Sequence, residues 1–198
     1  MTDRKTELRR HSLARRDLVS HDEAHAAAAA ILQRGLALVD QLAAASGLAK
    51  PVVSVYWPIR SELNTRPLID ALATRGATVV LPVMTSVRRP LVFREFAPGD
   101  ALAKGPFGLS EPAADKPMHS PDIVFSPLAA FDRSGFRLGY GGGIYDATLA
   151  SLRAEKTIVA IGVAYAVQEA DAVPHEPHDE KLDYVVTEQE VIAVGGGQ

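Results

Sequence analysis

The sequence predicts an α/β protein with a mostly parallel sheet flanked by helices, and three observations carry that prediction. First, the β-branched run Pro51-Val-Val-Ser-Val-Tyr56 is followed by a helical stretch and then by a second apolar run, Ala77 to Pro82. Strand, helix and strand in that order need a crossover, so the two strands lie parallel. Second, Asp122 to Phe125 reads as a buried strand, and a helical pattern with Leu149 and Leu152 leads on to the strongly apolar Thr157 to Val163. Third, 198 residues with 47% hydrophobic content suffice for one domain with a real core.

Residues 3–19 mix charges with Leu8, Leu13 and Leu18, a spacing of five that follows one helical face only loosely. A helix is predicted there, locally basic through Lys5, Arg9, Arg10, Arg15 and Arg16, and for charged residues in general a solvated face is the expected place. Ser20-His21-Asp22-Glu23 has the spacing of a capping box, with Ser20 bonding the Glu23 N–H and Glu23 bonding back. The alanine-rich helix that follows runs to about Ala45 and stops at Gly47, a left-handed cap. Ile31, Leu32, Leu36, Val39 and Leu42 form its apolar stripe. His21 and His25 lie one turn apart, but no third ligand is near, so a metal site is not assigned to them.

After the strand at 51–56, Trp57 to Thr65 reads as a loop, and loops at the C-terminal ends of strands are where open α/β sheets bind ligands. Asn64 or Thr65 is expected to cap the next helix, with Pro67 in its first turn and Gly76 after its end. Leu91 to Phe96 alternates and reads as another strand. From Pro98 to Pro121 the chain carries five prolines and three glycines, which predicts a long ordered loop. Tyr184 to Thr187 is the last predicted strand, and residues 193–198 are expected to form a flexible tail.

Composition narrows the function classes. No cysteine is present, which excludes a disulfide framework, a thiolate zinc site and a cysteine nucleophile. A net charge of −3 argues against a broad nucleic-acid surface. No run approaches the roughly 20 apolar residues of a membrane helix, and the N-terminus lacks a signal-peptide core, so a cytoplasmic protein is expected. His119, His175 and His178 read as exposed loop histidines rather than zinc ligands.

The stretch Ser126 to Asp146 holds the chemistry. Gly139, Gly141, Gly142 and Gly143 lie between a strand and a helix, where glycine lets the backbone approach a ligand and turn its N–H groups inward. An anion, most often a phosphate, suits such a loop. Arg137 can add a forked cation, and Asp146 can face a metal ion. Two familiar phosphate fingerprints are absent: G-x-G-x-x-G fails at Ile144, and no Gly-Lys-Ser/Thr of a P-loop is present. From these residues alone the loop is a phosphate cradle of another type, or a turn.

Phe131-Asp132, Gly135 and then Arg137-Leu138-Gly139-Tyr140-Gly141-Gly142-Gly143-Ile144-Tyr145-Asp146 resembles the signature of the 5-formyltetrahydrofolate cyclo-ligases, also called methenyltetrahydrofolate synthetases. Further blocks follow in the family's order: Lys5-x-x-Leu8-Arg9, Tyr56-x-Pro58 with Glu62 and Thr65, Gly105-x-x-Gly108-Leu-Ser-Glu111-Pro112, and the terminal Pro174, His178, Asp179 and Leu182-Asp183 to Thr187-Glu188.

The resemblance implies a Rossmann-like sheet in a single domain over 1–198, with the basic helix of residues 1–20 contributing to the nucleotide site. It also implies ATP- and Mg²⁺-dependent cyclisation of a reduced folate through a phosphorylated formyl group. On the family's pattern Arg137 and Lys5 are catalytic, and ATP is held by Lys5, Arg9 and the run Arg137, Leu138, Gly139, Tyr140, Gly141, Gly142, Gly143, Ile144 and Tyr145. Trp57 and Glu62 would contact the folate, Trp57 by stacking and Glu62 by accepting two hydrogen bonds from an amino-pyrimidinone edge. Asp146 and Asp179 would hold the metal. Phe107 and Glu111 are pocket candidates in the matching stretch.

The partners implied are a reduced folate and no nucleic acid or membrane, with a monomer or weak homodimer as the state of the chain. Ile144 departs from the aromatic residue frequent at its position, and Ala147-Thr148 replaces a common pair that includes arginine. Two other readings stand beside this one. A sugar-phosphate isomerase of related fold would also use a glycine loop, and a folate-binding protein without turnover would keep the pocket alone.

Overall fold

A computed structural model describes residues 2–86, 89–105 and 109–195. The sequence folds into a seven-stranded sheet with helices on both faces. Its strands are β1 (Val52–Ser54), β2 (Thr78–Val83), β3 (Val92–Glu95), β6 (Ile123–Pro127), β9 (Val159–Val163), β10 (Tyr184–Val186) and β11 (Val191–Ala193), in the spatial order β11-β10-β9-β6-β1-β2-β3. The five central strands run parallel, and the edge strands β3 and β11 are antiparallel to their neighbours. The mostly parallel α/β sheet predicted from the strand–helix–strand order is therefore what forms. The chain leaves β1 toward β2 on one side and returns to β6 on the other, so the topological switch falls between β1 and β6.

Four helices cover the sheet: α1 (Thr2–Asp17), α2 (His21–Ser46), α3 (Arg66–Thr74) and α4 (Ile144–Glu155). Alternation along the strands divides the core. Val53, Val79, Leu81, Ile123, Phe125 and Ile161 face α2 and α3, whose Ile31, Leu38, Val39, Leu68, Ile69 and Leu72 pack on them. Val80, Val124, Ala160 and Val185 face the other way, toward Leu149 and Leu152 of α4. Among the described residues no helix is long and apolar enough to cross a membrane.

The caps of α2 form as the sequence predicts, with both halves of the Ser20–Glu23 box present and Gly47 left-handed at φ 65°. Its buried face is turned slightly from the predicted stripe. Ala27, Ala28, Ile31, Gly35, Leu38 and Val39 are buried, while Leu32, Leu36 and Leu42 are half-buried. Of the two residues expected to cap α3, the Asn64 side chain accepts from the Arg66 N–H, while Thr65 spends its hydroxyl on the carbonyl of Tyr56 at 2.7 Å.

Three small elements depart from the sequence reading. The stretch from Pro98 to Pro121 contains an antiparallel pair, β4 (Leu102–Lys104) and β5 (Ser110–Pro112), rather than loop alone. Another pair, β7 (Ala130–Phe131) and β8 (Arg137–Leu138), separates β6 from the glycine loop. Strands of two or three residues are too short for alternation to mark them. Ala193, expected in the flexible tail, instead ends β11, and the Val194 N–H bonds the Asp183 carbonyl. Phe107 and residues 196–198 lie outside the described residues.

Candidate active site

The loop after β1, the loop after β8 and helix α1 meet at the switch between β1 and β6. Helix α1 is built for this place. Its leucines do not mark its buried side: Leu8 and Leu13 are half-buried and Leu18 is 82% exposed, while Ser12 and Arg16 are buried. Lys5, Arg9, Ser12 and Arg16 instead follow a four-three-four spacing, which places them on one helical face. That polar face turns inward. Lys5 Nζ donates to Asp179 Oδ2 at 2.7 Å, Arg9 Nε donates to the Gly139 carbonyl at 2.7 Å, and Arg16 Nη1 donates to the Tyr140 hydroxyl at 2.7 Å.

The glycine loop needs its glycines. Gly141 and Gly143 adopt φ 101° and 62°, in the left-handed region that favours glycine, and Gly143 occupies the N-cap of α4. Among the described residues the N–H groups of Gly139, Tyr140, Gly141, Gly142 and Gly143 donate to no protein acceptor. They border the start of a helix, where the backbone already favours an anion, and the Arg9 guanidinium lies beside Gly141.

Two carboxylates flank this loop, each with its own cation. Asp146, in the first turn of α4, accepts at Oδ1 from Arg137 Nη2 at 2.8 Å and from the Glu180 N–H at 3.1 Å. Arg137 is held from the other side by the Glu180 carbonyl, 2.5 Å from Nη1, and its side chain is 3% exposed. Burial works against the Arg137 charge, and Asp146 beside it works to keep it. Asp179 accepts at Oδ2 from Lys5 and from the Glu176 N–H at 2.8 Å. Its burial opposes ionisation, yet the bonds from Lys5 and Glu176 win and hold the carboxyl below its usual range. Because Glu180 directly follows Asp179, its N–H contact with Asp146 brings the two aspartates together.

These residues fit a divalent cation. Asp146 Oδ2 and Asp179 Oδ1 accept no hydrogen bond from the described residues, the latter lying 3.9 Å from His178 Nε2. Among the described residues no cluster of three His, Asp or Glu side chains suited to a metal occurs. Two carboxylate oxygens completed by phosphate and water is the coordination that Mg²⁺ favours.

On the β1 side, Glu62 is buried, and both its oxygens are occupied. Oε1 accepts from the Tyr140 hydroxyl at 2.6 Å, and Oε2 accepts from the Ile59 N–H at 2.9 Å. Burial raises the Glu62 carboxyl, against the opposing pull of Tyr140, Ile59, Arg16 and Arg60. Tyr140 and Tyr145 are likewise raised, first by burial and then by the Glu62 charge. Arg60, in the same loop, has a left-handed φ of 52°, a strained choice for a side-chain residue that shapes the turn carrying Glu62.

The predicted residues thus divide. Lys5, Arg9, Arg137, Gly139 to Gly143, Asp146 and Asp179 surround one loop, and Glu62 joins them through Tyr140. Trp57 is not part of that hydrogen-bonded network; it packs edge-on to Phe96 at 5.6 Å, with Arg66 4.7 Å over its ring. Leu138 is buried in β8, and Ile144 and Tyr145 pack on the α4 side of the core. Glu111 braces the backbone, accepting from the Met84 N–H at 2.9 Å beneath Gly105. His175 stacks on Phe136 at 3.5 Å, away from His119, which pairs with Glu95. Sequence reasoning missed Arg16 as a site residue, although its place in the four-three-four series with Lys5 and Arg9 was there to be found.

Comparison with known proteins shows the family and the fold. The family model described as the 5-formyltetrahydrofolate cyclo-ligase family matches residues 1–188. The 5-formyltetrahydrofolate cyclo-ligase of Haemophilus influenzae is 32% identical over 163 residues, covering 80% of this chain and 83% of that one. The enzyme of the same name from Escherichia coli K12 is 36% identical over 144 residues, covering 70% and 79%. Among solved structures, the NMR structure of Aquifex aeolicus 5,10-methenyltetrahydrofolate synthetase superposes with a TM-score of 0.74 at 26% identity, covering 98% of this chain and 94% of that one. By its family match, its relatives and its fold, the chain belongs to the 5-formyltetrahydrofolate cyclo-ligase family.

Proposed function

We propose that this chain converts 5-formyltetrahydrofolate to 5,10-methenyltetrahydrofolate with ATP and Mg²⁺, releasing ADP and phosphate. The observation that carries the ATP and Mg²⁺ part is the pairing of Asp146 with Arg137 and of Asp179 with Lys5 around the glycine loop, tied together by the backbone of Glu180. Isomerising a sugar phosphate needs an anion loop but no such double pair, and a protein that only binds folate needs neither.

A formamide oxygen is a poor leaving group, so ring closure needs it activated. In the proposed course the formyl oxygen attacks the γ-phosphorus and ADP leaves. The N10 nitrogen then attacks the formyl carbon, the C–O bond breaks, phosphate departs with that oxygen, and the N10 proton passes to solvent or phosphate. Phosphoryl transfer of this kind is mainly positioning and charge neutralisation. Lys5, Arg9 and Arg137 supply cations, and the N–H groups from Gly139 to Gly143 receive phosphate oxygens. Mg²⁺, held by Asp146 and Asp179, would neutralise phosphate charge. Glu62 orients the pterin by accepting two hydrogen bonds, with Trp57 as a stacking surface, and holding N10 near the activated carbon gives the second step its advantage.

Glu62→Gln tests the division of labour. An amide side chain keeps the shape but offers one acceptor where the carboxylate offers two, so the folate KM is expected to rise about tenfold or more while the ATP KM changes little. Steady-state kinetics in each substrate decides it, and equal effects on both would reduce Glu62 to a structural role.

A further inference from the structure

Glu62 is already satisfied before any folate arrives. Both of its oxygens have a donor, and the one on Oε1 is the hydroxyl of Tyr140, a residue of the loop assigned to phosphate. Tyr140 is itself held in place. Arg16 donates from Nη1 to the phenol oxygen, and its Nε donates to Ser61 Oγ at 3.1 Å, in the loop that carries Glu62. Arg16 is 3% exposed, so this fork is a buried, fixed part of the fold, whereas Tyr140 is 42% exposed and sits between glycines that permit movement. A fixed clamp thus holds a movable side chain on the carboxylate that a pterin needs.

We propose that Tyr140, positioned by Arg16, occupies the pterin's place on Glu62 and is displaced when the folate binds. It acts as a specificity-determining residue, because only a ligand offering its own donors to Glu62 replaces the bond that is lost. This rests on the reading of Glu62 as the folate contact. The arrangement also ties the two halves of the site, since releasing Tyr140 leaves the Arg9 bond to the Gly139 carbonyl as the side-chain tie on the glycine loop.

Acid sensitivity gives a second handle. Glu62 is faced by Arg16 from α1, Tyr56 from the segment just after β1, Arg60 from its own loop, Tyr140 from the glycine loop and Tyr145 from α4. The Tyr140 bond favours the ionised carboxylate, so removing it raises the carboxyl further. A pterin edge needs the ionised form, so affinity falls as pH drops through the Glu62 pKa.

The test is direct titration of the full chain with 5-formyltetrahydrofolate in the absence of nucleotide. Tyr140→Phe is expected to tighten Kd about three- to tenfold at neutral pH, because the folate no longer breaks a hydrogen bond to a charged group. Its acid limb of affinity should move to higher pH. Arg16→Lys keeps the charge but loses the fork, and should tighten binding in the same direction. Unchanged or weaker folate binding in Tyr140→Phe would overturn the proposal. Glu62→Gln is titrated alongside. If it weakens folate while Tyr140→Phe changes nothing, the latch fails and the folate contact stands. If Glu62→Gln binds folate normally, the folate contact itself fails and takes the latch with it.

Discussion

Asp146→Asn should lower turnover by about 10²- to 10³-fold while the protein stays folded. The asparagine oxygen can still accept from Arg137 and the Glu180 N–H, so the local frame persists, but the buried Arg137 loses its counter-charge and stability should fall by about 2 to 3 kcal/mol. What is lost is the negative charge of a carboxylate whose Oδ2 accepts no hydrogen bond from the described residues. The residual activity should need much higher Mg²⁺, because only Asp179 remains as a charged donor. Full activity with unaltered Mg²⁺ dependence, in a titration of rate against Mg²⁺, would remove Asp146 from the metal site.

Arg137→Lys is the second large effect. The guanidinium bridges Asp146 and the Glu180 carbonyl with two separate nitrogens, which an ammonium on a shorter reach cannot reproduce. Loss of one charge-assisted bond at a side chain 3% exposed should cost about 2 kcal/mol of stability. Turnover should fall about a hundredfold, with the ATP KM raised more than the folate KM, because on the proposed reading this cation serves the phosphates and not the pterin at Glu62. Thermal unfolding and steady-state kinetics separate the two losses. A variant with lowered Tm and normal kcat would make Arg137 a purely structural tie between α4 and the Asp179 loop.

Much of the scaffold was legible because its signals are local. Ser20 and Glu23 sit three apart and make their box without help from the rest of the chain, and Gly47 ends α2 by its own backbone preference. Thr65 was harder, since its hydroxyl serves Tyr56, nine residues back, and no local rule foresees that bond. The pairs β4–β5 and β7–β8 escaped because two- or three-residue strands carry no period.

The candidate site was legible as a set of residues, not as an arrangement. Resemblance marked Lys5, Arg9, Arg137, Asp146 and Asp179, but that Glu180 ties the two aspartates by its backbone depends on tertiary contact. Arg16 was hidden by the sound general rule that charges on a helix face water. The helix breaks that rule because its inward side meets carbonyl, hydroxyl and carboxylate partners in place of a core. Tyr140 was assigned to nucleotide on its place in the glycine run, and only the folded chain shows its hydroxyl on Glu62.

The most direct measurement follows the absorbance of the methenyl product when the purified chain meets 5-formyltetrahydrofolate, with ATP present, with ATP omitted, and with Mg²⁺ chelated. The account predicts product only when ATP and Mg²⁺ are both present, with one ADP formed per methenyl group. Product formed at the same rate without ATP, or folate bound with no product under any condition, would contradict it.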